Sequence, residues 1–325
     1  MLKNIVFKIS VVVIVAMIVS LLGYDHYTEK KNAESLSKEK VTTPTETKPE
    51  NTKKNNIVAI GDGFVNGQTN FIDALANNAN ANVTQFGGIN DTSTDVAIRA
   101  NALNVYVNNI TIPSSVSPVA VTLYNQQGEA LDALHGKGTN FDNVTIGGIE
   151  GQLSYNQQDK KLYFARNDAG KETAIAKLTQ VEGKKVDFNA NDSYVFFVGQ
   201  NDPYYKGSIF KTINNINYIV KRYNINKYVV VSLTSKRHYH IVDDMNDVLK
   251  EEYKDHYLDF RTYLLTNGLK DAGIQPTKQD TTDITQHKIP TSLLNQDLFT
   301  GNKSFNDLLA KQINEKMKVL GYLKS

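Results

Sequence analysis

The chain has 325 residues, 40% of them hydrophobic and 22% charged, with a formal net charge of +2 and no cysteine. This length and composition suit one large α/β domain or two smaller ones and argue against disorder. The low charge, with no Lys/Arg cluster interleaved with aromatics, argues against a nucleic-acid partner, and the missing cysteine excludes disulfides, thiolate metal sites, a cysteine nucleophile and a lipid-modified cysteine.

The first element is Ile5 to Tyr24, "IVFKISVVVIVAMIVSLLGY", apolar apart from Lys8 and two serines. At about 1.5 Å per residue it reaches roughly the 30 Å of a bilayer core. Lys3 and Lys8 supply a positively charged head, and no small-x-small cleavage site follows. Residues 1–24 are therefore expected to form an uncleaved signal anchor, a single transmembrane helix with the folded part outside the cytoplasm. Residues 25–56 are rich in Lys, Glu, Thr and Asn and hold almost no apolar side chains. They are expected to be a solvated extracytoplasmic tether, because such a segment buries too little surface to offset its chain entropy.

From Ile57, "IVAIGDG" predicts a strand ending in a glycine turn, and "TNFIDALANNA" predicts the helix after it. Between about Asn104 and Asn191 the texture changes to short alternating runs separated by Gly, Asn-Gln and Asp-Lys turns. They predict a small all-β unit inserted into the α/β domain. It serves either packing or as a wall or lid of the ligand cleft, springing from a turn at the ligand end of the sheet. "DSYVFFVGQND" predicts a buried strand, Tyr194 to Val198, that delivers Gly199 to Asp202 at its C-terminal end. "KYVVVSLTS", Lys227 to Ser235, predicts a third strand, flanked by amphipathic helices over "SIFKTINNINYIVKRY" and "MNDVLKEEYKDHYLDFRTYLLTNGL". Strands alternating with helices predict a doubly wound, mostly parallel sheet covered on both faces, with ligands at the strands' C-terminal ends.

Within this frame Asp62 either caps and braces its turn or serves a ligand, and Asn201 either closes a strand or serves a ligand. Thr92 and Ser93 are expected to cap a helix beginning near Thr94. His238 and His240 form an H-x-H pair beside Lys236 and Arg237 without a third ligand at metal spacing, so they are expected in a solvated loop. His135 and His287 are isolated and expected at the surface. The run "DDMNDVLKEE" reads as a helix start with an exposed acidic face. The 17 tyrosines, with no tryptophan, read mainly as packing residues. No metal or cofactor site is expected.

Four segments now stand in order: Gly61-Asp62-Gly63, "FGGINDTSTDVAIR" (Phe86 to Arg99), "VGQND" (Val198 to Asp202), and the C-terminal "IPTSLLNQDLFTGNKSFNDLLAKQINEKMKVLGYL". Together they resemble the SGNH (GDSL) hydrolase family, in its branch with a β insertion between the second and third blocks, over Ile57 to Leu323. The resemblance implies a flavodoxin-like three-layer sandwich over residues 57–325, with 104–191 as the inserted β subdomain. In the family a serine after Gly-Asp is the nucleophile, and here that position is Gly63. The second-block oxyanion glycine falls on Asn90, and the asparagine of G-x-N-D is Asn201. The C-terminal D-x-x-H falls on Asp297 and Thr300, while Asp62 and Asp202 are retained. The resemblance thus implies an ester hydrolase whose nucleophile and base are missing and whose oxyanion donors, the Gly63 and Asn90 N–H groups and the Asn201 amide, remain. The expectation is a membrane-anchored, catalytically degenerate module that binds a cell-surface glycan, in one form an O-acylated one. Two alternatives stay open: a carbohydrate esterase or deacetylase using a water activated by Asp62 or Asp297, and a structural module of a surface assembly.

Overall fold

The computed structural model describes residues 54–67, 70–205 and 207–323. The expected anchor, and the tether up to residue 53, lie outside them. Among the described residues no helix is long and apolar enough to cross a membrane.

The chain enters through β1 (Asn55–Gly61), the one-turn helix α1 (Gly63–Asn66), α2 (Ile72–Ala79), β2 (Ala81–Gly87) and α3 (Ser93–Arg99). Ten short strands follow: β3 (Val105–Val107), β4 (Ile110–Ile112), β5 (Val119–Val121), β6 (Leu123–Tyr124), β7 (Ala130–Leu131), β8 (Asn143–Ile146), β9 (Ile149–Asn156), β10 (Lys161–Arg166), β11 (Thr173–Ile175) and β12 (Thr179–Gly183). Then come β13 (Ser193–Phe197), α4 (Ile209–Arg222), β14 (Tyr228–Val231), α5 (Tyr239–Tyr253), β15 (Tyr257–Leu258), α6 (Phe260–Tyr263), a π turn (Leu264–Gly268), α7 (Leu269–Asp271), α8 (Lys278–Thr285) and α9 (Lys303–Val319).

The protein is a mixed α/β structure. Its first sheet is fully parallel, in the order β15-β14-β13-β1-β2. Counted along the chain this is the 2-1-3-4-5 order of a doubly wound sheet. Side chains alternate across it, as the two-residue period of a strand requires. Ile57 and Ala59 of β1 join Val195 and Phe197 of β13 beneath α2 and α9, while Val58, Ile60, Tyr194 and Phe196 face α3, α4 and α5. Burial on both faces is why β1 and β13 read as continuous apolar runs. Helix α4 meets the sheet through Ile209, Ile213, Ile216 and Ile219, a stripe at helical spacing.

Two sequence expectations change. The segment from Met245 to Leu269, expected as one helix, is broken: α5 ends at Tyr253, Lys254 turns with φ +46°, and Tyr257 and Leu258 pair with Val230 and Val231 as the edge strand β15. Asp259 then starts a new helix by accepting the Thr262 N–H. Burial of Tyr257 and Leu258 at the sheet edge outweighs the helical period of their neighbours.

The ten strands after α3 make an eight-stranded antiparallel sheet, β5-β10-β9-β8-β12-β3-β6-β7, and a small β4–β11 pair, around a separate core that includes Val105, Val107, Ile146, Phe164 and Val181. This unit does not spring from the turn between β2 and α3; it follows α3. Residues 134–140 fold back onto that turn, with a bridge between Gly88 and Gly138 and a Thr139 N–H bonded to the Gly87 carbonyl. A Cβ on Gly136 would stand 2.2 Å from the Ile89 carbonyl oxygen, and one on Gly138 2.6 Å from that of Gly87. Glycine is what lets the two backbones touch.

Candidate functional site

The turn after β1 is built by Asp62. Its Oδ1 accepts the Phe64 N–H at 3.0 Å and caps α1, the capping role the sequence suggested. The side chain is buried, and Oδ2 accepts no hydrogen bond among the described residues. Burial pushes this carboxyl up to about 8; the Phe64 N–H opposes the rise, and the nearby Asp91 and Asp202 add to it. From about pH 4 upward the unfolded aspartate has released its proton while the folded one keeps it until about pH 8, so stability falls with rising pH across that window. Asp62→Asn should flatten the fall, read as the urea midpoint at a series of pH values. An unchanged slope would mean that Asp62 ionises freely in the fold.

Gly63 opens α1, so its N–H has no intrahelical acceptor. A Cβ built there meets nothing within 4 Å. Crowding is therefore not the reason for glycine at this position.

Asn90 sits exposed in the turn after β2 at φ +67°, a left-handed conformation that Asn adopts more readily than other side-chain-bearing residues. The Asn201 amide donates to the Asp91 carbonyl at 3.1 Å, which commits one of its two N–H bonds. Asp202 accepts the Ser93 N–H at 2.7 Å and the Thr212 hydroxyl, locking the turn after β13 to the starts of α3 and α4. Thr92 caps α3 in a reciprocal box with Asp95, and the buried Ser93 Oγ accepts from Asn215 at 2.9 Å. Both hydroxyls are engaged within this junction, Thr92 with Asp95 and Ser93 with Asn215.

Beneath this junction lies Arg99, fully buried. It holds Asp91 through two bonds of 2.8 and 3.2 Å and donates to the carbonyls of Gly136 at 2.6 Å and Asn140 at 2.9 Å. Burial pushes the Asp91 carboxyl up, the Arg99 guanidinium pulls it down, and the balance lies at about 7. One side chain thus fastens the inserted β unit to the turn that carries Asn90.

The last loop is closed on itself. Asp297 Oδ1 accepts the N–H groups of Phe299 and Thr300, both at 2.9 Å, and Oδ2 accepts the Thr300 hydroxyl at 2.6 Å. Burial works to raise the Asp297 carboxyl, but the Thr300 hydroxyl and the two N–H groups outweigh it and hold it below the usual range. The Phe299 ring packs edge-on against Phe64 at 5.4 Å, so this loop stands beside the Gly63 turn. Among the described residues no histidine bonds to Asp297.

A second cluster was invisible in the sequence. Tyr204, three residues past Asn201, has its phenol pKa raised by burial and then by the charge of nearby Asp62, and its ring stacks on His238 at 4.2 Å and 8°. His238 is thus a packed, half-buried side chain rather than part of a solvated loop, while His240 is exposed. The Ser235 Oγ accepts the His238 N–H at 3.2 Å and lies 3.0 Å from His238 Nδ1. Burial lowers the His238 pKa, helped by Arg237 and His240. His135 packs against Tyr155, and His287 is exposed near Asp243. Among the described residues no three His, Asp or Glu side chains assemble as a metal site.

The turns after β1, β2 and β13 and the 297–300 loop therefore offer hydrogen-bond donors and three buried carboxyls, Asp62, Asp91 and Asp202, with no side chain at Gly63 and no imidazole at Thr300. No family model and no curated protein matches the chain. It is similar in structure to a chain assigned as a lipolytic protein of the G-D-S-L family from Desulfitobacterium hafniense DCB-2, at 12% identity and a TM-score of 0.42, over 81% of this chain and 99% of that one.

Proposed function

We propose that this chain is an SGNH-hydrolase-like module that binds a cell-surface glycan, in one form an O-acylated one, without hydrolysing it, and that residues 1–24 tether it to the membrane with the folded part outside. The observation that carries the reading is Gly63: the turn is capped by Asp62 and has room for a side chain, yet the position holds none. The closed Asp297–Thr300 loop agrees with it, since its acid is spent on a threonine. What such a site retains is preorganised donors, which hold a carbonyl or a sugar hydroxyl without chemistry.

The test is acetate release by the purified chain from O-acetylated glycans and an aryl acetate, with glycan binding measured in parallel and Asn201→Ala as the control. The expected result is no turnover, together with glycan binding that Asn201→Ala weakens about tenfold, the scale of one lost hydrogen bond. Turnover that disappears in Asn201→Ala would overturn the reading. One observation favours that outcome: a buried carboxyl at about 8 with an unpartnered oxygen is basic enough to take a proton from a bound water. A hydrolase of that kind would gain activity as pH rises toward 8.

A further inference from the structure

Beside the 297–300 loop, at the C-terminal end of β14, lies a depression of about 360 Å³ whose walls include Lys236, Arg237, Tyr239, Lys288, Asp297 and Leu298. It holds three cations and two carboxylates, and these are not equally free. Asp283 bonds Lys236, the Thr291 N–H and hydroxyl, and the Gln279 amide. Asp297 is satisfied by its own loop. Asp283 has used its acceptor capacity and matches Lys236, while Asp297 is held by neutral donors and keeps its negative charge.

That leaves Arg237 and Lys288. Arg237 is exposed and has no carboxylate partner among the described residues. Lys288 has none either; its Nζ bonds the Gln286 amide oxygen at 2.8 Å and stands 4.2 Å above the centre of the Tyr239 ring. Two cations without a carboxylate partner therefore line one concavity together with Tyr239 and Leu298, and they outnumber its one carboxylate left without a cation, Asp297.

The apolar surface has a matching distribution. Ile89, Tyr205, Tyr239 and Leu298 are large hydrophobic side chains left between 36% and 60% exposed; Ile89, Tyr205 and Leu298 stand on the loops that follow β2, β13 and α8, and Tyr239 opens α5 after β14. Exposed apolar groups that recur on one rim mark a contact surface. A pyranose ring suits such a rim, because its C–H face packs on aromatic and aliphatic side chains while its hydroxyls meet the polar floor.

We propose that this depression binds an acidic saccharide, with the sugar ring on Tyr239 and the anionic group held between Arg237 and Lys288. The guanidinium suits either a carboxylate or a phosphate, since it presents paired donors in a planar fork. This inference rests on the glycan-binding reading and names the chemical class of the glycan.

Three probes test it on the purified chain: an oligogalacturonate, a phosphorylated malto-oligosaccharide and neutral maltohexaose. At low salt at least one acidic probe should bind about tenfold more tightly than the neutral one, and the preference should shrink as salt is added. The double variant Arg237→Gln, Lys288→Gln should lose the preference; Arg237 is exposed and Lys288 half-buried with no carboxylate partner, so the fold should survive, which an unchanged urea midpoint checks. The better acidic probe identifies the anion. Equal affinities for all three, or a preference that survives the double variant, would overturn this inference and leave the glycan reading in place. Failure of all three to bind would overturn both.

Discussion

Placing serine at position 63 and histidine at position 300 in the same chain should create esterase turnover that neither Gly63→Ser nor Thr300→His produces alone. Several observations make this reasonable. A Cβ at position 63 enters open space, and the turn that would aim it is already capped by Asp62. At position 300 the side chain already meets a carboxylate, so an imidazole there would find its orienting acid in place of the Thr300 hydroxyl. The Phe64–Phe299 contact keeps the two loops side by side. Loss of serine or histidine from such a unit costs on the order of a millionfold in turnover. A misplacement near 1 Å costs about a hundredfold, so aryl acetate hydrolysis should rise by roughly 10⁴ over the natural chain rather than recover the full millionfold. A folded double variant as inert as the two single ones would show that positions 63 and 300 do not face a common substrate, and the hydrolase-derived reading of this site would fall.

The second large effect is on stability. Arg99→Met should cost about 3–5 kcal/mol, because it strands a buried carboxylate. Asp91 would lose both of its charge-assisted bonds, and the carbonyls of Gly136 and Asn140 would lose their donor. The urea midpoint reads the cost directly, and glycan binding should weaken with it, because the Asp91 carbonyl holds the Asn201 amide. Adding Asp91→Leu to Arg99→Met should recover part of the loss, since a removed pair costs less than a broken one. A single-variant loss below about 1 kcal/mol would place the pair among interactions that solvent replaces.

Much of the fold was legible because burial on two faces writes itself into sequence. The runs of β1, β13 and β14 could be read directly, and the turns after β1 and β13 could be placed at their C-terminal ends. The two edge strands could not. β2 carries Asn82, Thr84 and Gln85 toward solvent, and β15 is only two residues long within a helix-like window. Of the site, positions Gly63, Asn90 and Thr300 drew notice only through a resemblance to a family pattern. The room beside Gly63 and the closed Asp297–Thr300 loop needed coordinates. So did Arg99, whose partners lie 8, 37 and 41 residues away, and the stacking of Tyr204 on His238, which joins two loops with no shared pattern.

The inserted sheet has a consequence for the chain's continuity. The exposed turn between β9 and β10 divides it so that β5 pairs with β10 and β3 and β8 pair with β12 across the break, and in the parallel sheet β1 pairs with β13 across it as well. A protease that cut at Gln158 would separate the sequence but release neither piece, for each half supplies strands to both sheets. Two polypeptides ending and beginning there, made separately, would each expose unpaired strand edges and would recover one molecule by finding each other.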